Sequence, residues 1–322
     1  MSKIITIVGA TGTQGGSVIK ALLATPNPPY TIRAITRNPQ SDAAKALVEK
    51  GIKVVEADLH NVESLTSAFA GTHAIFAVTD FFENLPTLGV VKAMETETEL
   101  GINLANAAAN TDSLEHYVWS TLPNSKQNSS GKGVVPYYES KNAVDSYIKS
   151  ITHLLRKTTF VWFGWYAGNM MLPLFHPTKI HTVDGSKSYV TFLSVAPSTK
   201  IPLLGDERAN VGLFVKAILE RPEKTLPGRF VAGVMEQRAL GDVVSAFAAA
   251  KQIQARCVRI SREDYKKLWP VWGGLMDLSH YYFEVVGGKA FTSVEGVLTG
   301  DDLEVKGLVG VDEAFASLPL LQ

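Results

Sequence analysis

Tyr137 and Lys141 lie four residues apart at the head of a predicted helix (137–151), which stacks their side chains on one face. A phenol titrates near about 10 and is a poor acid–base group at neutral pH. An adjacent ammonium favours the phenolate and lowers that value, so the pair reads as a tuned proton donor. A second chemical feature opens the chain. Ile4-Ile5-Thr6-Ile7-Val8 runs into Gly9-Ala10-Thr11-Gly12-Thr13-Gln14-Gly15-Gly16, and a helical pattern follows. Strand, glycine-rich turn and helix start make a pyrophosphate cradle. The glycines permit the sharp turn and close backbone approach, and the helix N-terminus offers free N–H groups and a positive dipole end. About twenty residues past the glycines, the spacing of the ribose-reading position, Ala34-Ile35-Thr36-Arg37 ends the second strand with a guanidinium and no carboxylate. That charge suits the 2′-phosphate of NADP over the 2′-hydroxyl of NAD. The expected cofactor is NADP(H), held by Gly9, Thr11, Gly12, Thr13, Gln14, Gly15 and Arg37, with Asp58 and Leu59 after the third strand beside the adenine.

The elements that must position these groups follow from hydrophobic periodicity. Strands are expected at 3–8, 30–36, 53–57, 73–78, 117–119 and 158–163, and helices at 14–24, 40–50, 61–70, 90–110 and 137–151. Such alternation predicts a parallel sheet with helices on both faces, a Rossmann-type doubly wound α/β fold. Past residue 163 the rhythm changes. Residues 164–206 are rich in aromatics, Pro and Gly with no helical period. Helices are expected at 207–220, 239–251 and 262–269, strands at 229–232 and 255–260, and a last element near 312–318. The expected division is a nucleotide domain over 1–163, with 207–235 returning to it, and a smaller α+β substrate-covering lobe from 164–206 and 236–322.

Several segments resemble the NmrA-like family of atypical short-chain dehydrogenases/reductases. They are Gly9-Ala10-Thr11-Gly12 with Gly15-Gly16, Thr36-Arg37-Asn38-Pro39, Ala77-Val78-Thr79-Asp80-Phe81-Phe82-Glu83 and Trp119-Ser120-Thr121-Leu122. Gly164-Trp165-Tyr166-Ala167-Gly168-Asn169-Met170 resembles the family's segment after strand six, and Asn210-Val211-Gly212 its Asp-x-Gly turn, with Asn in place of Asp. The resemblance implies a cleft between a dinucleotide domain and a small lobe, with Thr79 among the cofactor contacts. It adds a role for Tyr137 as proton donor while hydride arrives from the nicotinamide, with Lys141 also holding the nicotinamide ribose. It calls for a hydroxyl after strand five, for which Ser120 and Thr121 are the candidates. Leu122 stands where some extended members carry a further serine. The family contains NADP-dependent reductases and also non-catalytic dinucleotide sensors, so the alternative reading is an NADP(H)-sensing regulator that acts through a protein partner.

The remaining features narrow the field. Aromatics at strand C-terminal ends, Phe81, Phe82, Trp165 and Tyr166, together with Asn169, are expected to line a pocket for a medium-sized apolar carbonyl, quinone or imine. Trp162 and Phe163 belong to a strand and are expected in the core; Trp269, Trp272, Tyr281, Tyr282 and Phe283 either form the core of the second lobe or roof the cleft. Asp80 and Glu83 are expected on a loop. Across 322 residues, 31 Lys plus Arg balance 31 Asp plus Glu, and no basic cluster stands out, which argues against direct nucleic-acid binding. The single cysteine, Cys257, excludes an internal disulfide, and the seven histidines show no metal-ligand spacing. The chain opens on a strand and holds no membrane-length apolar run, so a cytoplasmic protein without signal peptide, monomer or homodimer, is expected.

Overall fold

The computed structural model describes residues 2–181, 187–292 and 294–321. The chain first alternates strand and helix: β1 (Lys3–Ile7), α1 (Thr13–Leu23), β2 (Tyr30–Thr36), α2 (Asp42–Glu49), β3 (Lys53–Glu56), α3 (Val62–Phe69), β4 (Ala74–Ala77) and α4 (Phe81–Ala109). It continues through β5 (His116–Thr121), α5 (Ser125–Asn128), α6 (Pro136–Ser150), α7 (Thr152–Leu155) and β6 (Thr158–Phe163). Then come β7 (Trp165–Tyr166), β8 (Thr178–His181), β9 (Lys187–Leu193), β10 (Lys200–Gly205), α8 (Glu207–Glu220), α9 (Pro222–Thr225), β11 (Arg229–Gly233) and β12 (Glu236–Ala239). The remainder is α10 (Leu240–Ala250), β13 (Gln254–Arg259), α11 (Arg262–Leu268), α12 (Trp272–Val286) and α13 (Val311–Ser317).

Seven strands form one sheet in the order β11-β6-β5-β4-β1-β2-β3, with every neighbouring pair parallel. The chain runs outward from β1 to β3, then returns to β4 on the other side of β1. That reversal leaves a crevice above the C-terminal ends of β1 and β4. Strands β4, β5 and β6 are buried along their whole length, as expected of parallel strands covered on both faces. Alternation splits their side chains between two layers. Phe76, Val118 and Val161 pack with Val18 of α1 and Phe214 of α8, whereas Ile75, Trp119 and Phe160 pack with Leu104 of α4 and Val144 of α6. Two three-stranded sheets, β12-β10-β7 and β13-β9-β8, belong to the later part of the chain. This is the Rossmann-type α/β fold that the alternation predicts, with additional smaller sheets.

Three local expectations need correction. Phe81, Phe82 and Glu83 are in the first turn of α4, not on a loop. Asp80 caps that helix by accepting the Phe82 N–H at 2.9 Å. Helix α4 begins nine residues before the expected residue 90: Gly89 breaks the helical path (φ 71°, ψ 172°), yet the turns before it, with Pro86 inside them, stay helical and lengthen the element. Asn210-Val211-Gly212 is interior helix, not a turn. Gly212 is there because α1 and α8 touch: a Cβ on it would lie 2.1 Å from the Ser17 carbonyl oxygen, and its N–H donates to Ser17 Oγ at 2.8 Å. The aperiodic stretch 164–206 holds β7 to β10, with residues 182–186 outside those described.

Candidate active site

A cavity of about 860 Å³ fills the crevice above β1 and β4. Its lining contains every residue singled out from the sequence as a site residue: Gly9, Thr11 to Gly15, Arg37, Asp58, Leu59, Thr79, Phe81, Phe82, Ser120, Thr121, Tyr137, Lys141, Trp165, Tyr166 and Asn169.

At one end the wall is backbone. Gly9 turns the chain with φ 66°, and its carbonyl accepts the Gly12 N–H at 2.9 Å. A Cβ on Gly15 would lie 2.3 Å from the Gly9 carbonyl oxygen, so only glycine lets the turn close onto the helix. Helix α1 follows its N-cap Gly12 with no side-chain cap, which leaves its first N–H groups free for an anion. The Gln14 amide reaches across the cavity and donates to the Tyr166 hydroxyl at 2.9 Å. Turn, uncapped helix start and cavity together fit a dinucleotide pyrophosphate. At the end of β2, Arg37 lines the cavity and forms an ion pair with Glu83 of α4. The sequence shows no carboxylate beside Arg37; the fold brings one from 46 residues away.

At the other end the wall is side chains. Phe81 and Phe82 of α4, Tyr137 and Tyr138 of α6, and Trp272 of α12 form a continuous aromatic cluster. Ring centroids are 5.1 Å apart for Phe82–Tyr137, 5.0 Å for Tyr137–Tyr138 and 5.2 Å for the near-parallel Phe82–Trp272 stack. Trp165 and Phe175 meet edge to face at 5.5 Å. Burial among these rings pushes the Tyr137 phenol up to about 12, with the Ser279 hydroxyl of α12 opposing the shift.

Lys141 departs from expectation. Its ammonium donates to the Thr79 carbonyl at 2.9 Å and to Thr79 Oγ1 at 3.0 Å, and lies 3.1 Å from Glu97 Oε1. Glu97, on α4, is fully buried and also accepts from Thr79 Oγ1 at 2.9 Å and from Ser140 Oγ. The ammonium is therefore neutralised by a carboxylate instead of tuning the phenol, and the Tyr137 phenol is raised rather than lowered. A lone glutamate inside a long helix carries no sequence signal of this pairing. Of the two hydroxyls that end β5, Thr121 shares the Trp119 face, over which Lys141 Nζ sits at 5.4 Å from the ring centroid; alternation sends Ser120 to the opposite face. The Trp119 indole donates to Asp145 Oδ1 at 2.8 Å. Burial raises the Asp145 carboxyl to about 7. The Thr121 hydroxyl is near enough to oppose that shift but is not in hydrogen-bonding geometry.

Helix α12 roofs the aromatic end. Trp272, Met276, Ser279, His280 and Phe283 recur at helical spacing and all line the cavity. The helix is anchored behind by Asp277, fully buried, which accepts from Arg262 Nε at 2.9 Å and Nη2 at 2.9 Å and lies 3.2 Å from Lys266. The open question about the late aromatics thus resolves residue by residue. Trp272 and Phe283 face the cleft, Tyr282 is core and donates to the Ala290 carbonyl at 3.1 Å, Trp269 packs on Tyr265, and Tyr281 lies under the Arg262 guanidinium. Met276, Ser279 and His280 were not among the expected site residues.

Known proteins share this architecture. A family model described as the NmrA-like family matches residues 1–313. The NmrA-like family domain-containing oxidoreductase cpsB of Aspergillus campestris is 28% identical, with 99% of this chain and 95% of the relative covered. The crystal structure of NmrA, described as a negative transcriptional regulator, has a TM-score of 0.76 at 21% identity, covering 99% of this chain and 96% of its own. That of the NADPH-dependent quinone oxidoreductase QOR2 of Escherichia coli, complexed with NADPH, has a TM-score of 0.67 at 18% identity, covering 97% and 99%. Among the described residues, no helix is long and apolar enough to cross a membrane.

Proposed function

This chain belongs to the NmrA-like family, and we propose that it is an NADPH-dependent reductase of a planar, apolar acceptor such as an aromatic ketone, quinone or imine. The observation that carries the reading is a single cavity joining the phosphate cradle at Gly9–Gly15 to the Tyr137 phenol among aromatic walls. Bound there, NADPH would supply a hydride. The residues of the chain do the rest. The α1 N-terminus and Gly9–Gly15 turn take the pyrophosphate, and Arg37 takes the 2′-phosphate once it leaves Glu83. Phe81, Phe82, Trp165, Phe175 and Trp272 hold a flat acceptor and exclude water. Lys141, fixed by Thr79 and Glu97, holds the β4–α4 connection rigid beside the nicotinamide ribose. Thr121, on the Lys141 side of β5, is the hydroxyl placed to complete the site.

Tyr137 donates the proton to the acceptor heteroatom. A phenol raised to about 12 is protonated throughout the physiological range, and is still a stronger acid than the alcohol formed when it protonates the alkoxide from a ketone. The same shift leaves little phenolate at physiological pH to serve as the base in alcohol oxidation. The test is consumption of NADPH with a panel of naphthoquinones, aryl ketones and cyclic imines. Absence of turnover across the panel, with NADPH binding intact, would defeat it.

Two observations favour a second reading. Lys141 is tied to Glu97 instead of Tyr137, and the similar NmrA structure is that of a transcriptional regulator. A dinucleotide sensor needs only the cofactor half of the cleft, so it predicts tight NADP(H) binding, no turnover, and capture of a protein partner.

A further inference from the structure

His280 is a cavity-lining residue that neither the fold nor the proposed chemistry uses. It is 1% exposed, and both ring nitrogens are buried without a hydrogen-bond partner. Buried polar atoms are nearly always paired, and one without a protein partner calls for a water, a ligand or a function. Among the described residues, the other unpartnered buried atoms on the cavity wall are Gln14 Oε1 and Thr121 Oγ1, one each; His280 has two on one ring. It lies on the α12 stripe that faces the cavity, where Trp272, Met276 and Phe283 are apolar. The ring packs on Phe175 at 5.3 Å, in the corner where Trp165 also meets Phe175. Ser279, the preceding residue, instead serves the Tyr137 corner, as expected from the ~100° turn between consecutive helical positions.

We propose that His280 is a specificity-determining residue that binds a second polar group of the substrate, so that the acceptor is a flat aromatic carrying a hydroxyl, amide or second carbonyl away from the reducible bond. The inference rests on the reductase reading of the cleft. The substrate is held at two points. Its reducible heteroatom lies at the Tyr137–Ser279 corner, and its second polar group reaches the Phe175–His280 corner. Burial drives the imidazole down to about 4, so it is neutral at physiological pH and offers one donor and one acceptor. That suits an uncharged hydroxyl or amide.

The experiment is equilibrium binding, by calorimetry with saturating NADP⁺, of two probes that differ in one group: 2-naphthaldehyde and 6-hydroxy-2-naphthaldehyde. The wild type should favour the hydroxylated aldehyde by about tenfold to a hundredfold, the scale of leaving one buried polar group unpaired. In His280→Phe that ratio should collapse to about one, whatever happens to the two affinities separately, and His280→Gln should restore part of it. A wild-type ratio near one, a ratio that survives His280→Phe, or a wild type that binds neither probe would overturn the proposal. Because binding is read without turnover, a protein that shows the ratio but never oxidises NADPH contradicts the reductase reading and not the role of His280.

Discussion

At the glycine-rich turn the cleft is walled by backbone from one continuous stretch, residues 9–15. At the aromatic end it is walled by side chains from α4, α6, α12 and the segment around Trp165–Phe175, which are far apart in sequence. The first kind of site is set by local geometry, because a positive φ at Gly9 and a missing Cβ at Gly15 are short-range requirements. The second kind depends on how distant helices pack, and its chemistry changes when a neighbour arrives. Lys141 shows the difference. Its spacing from Tyr137 predicts a partner one turn away on the same helix, and the fold supplies Glu97 from another.

The comparison is sharpest at Tyr137. Replacing it with Phe should lower turnover by about 10²–10⁴-fold, the range for losing a general acid, and leave NADPH affinity intact. Turnover that persists would move the proton donor elsewhere. The pH profile carries a sign. Since burial raises the phenol to about 12, the donor stays protonated and the reduction rate should hold level well beyond pH 10, with any alkaline fall nearer 12. A limb at pH 8–9 would mean that Lys141 leaves Glu97 and tunes Tyr137 in the working complex.

Gly15→Ala breaks the other half. The added methyl would meet the Gly9 carbonyl oxygen at 2.3 Å, which backbone must move to relieve, at about 1–3 kcal/mol of stability. Cofactor affinity should fall at least about tenfold, as the turn no longer closes on the anion. Thermal unfolding and NADPH titration check both; an unaltered variant would show that the turn is not a tight cradle.

Arg37→Ala should cost about 1.5–3 kcal/mol of NADPH affinity, the scale of a hydrogen bond to a charged group, with NADH little changed. The smallest expected effect is at Glu83. Its exposed ion pair competes for the guanidinium that the 2′-phosphate needs, and such pairs contribute about 0–1 kcal/mol. Glu83→Gln should tighten NADPH a few-fold and leave NADH alone. Weaker NADPH binding would show that the carboxylate contacts the cofactor rather than competing with it.

The same contrast explains what was legible in the sequence. The seven-stranded sheet follows from strand-length apolar runs and their spacing, and β6 and α8 have the boundaries that periodicity predicts. Residues of the glycine turn, Arg37 and the strand-end aromatics could be placed because each is tied to a strand terminus. Glu97, Ser279 and His280 could not. Each is a polar residue inside a helix, and only the packing of that helix decides whether it faces water, a cation or a ligand. Helix α12 itself was hidden by Gly273-Gly274 and Ser279-His280, which are weak helix formers that tertiary packing overrides.

The account stands on hydride transfer in this cleft. The direct measurement is to supply NADPH carrying deuterium at both C4 positions of the nicotinamide with a planar aryl ketone or imine, and to locate the label by mass spectrometry. The account predicts one deuterium on the acceptor carbon of the wild-type product, and at least a hundredfold slower label transfer by Tyr137→Phe with cofactor affinity retained. A protein that binds NADPH tightly yet transfers no label to any acceptor, wild type and variant alike, would contradict it.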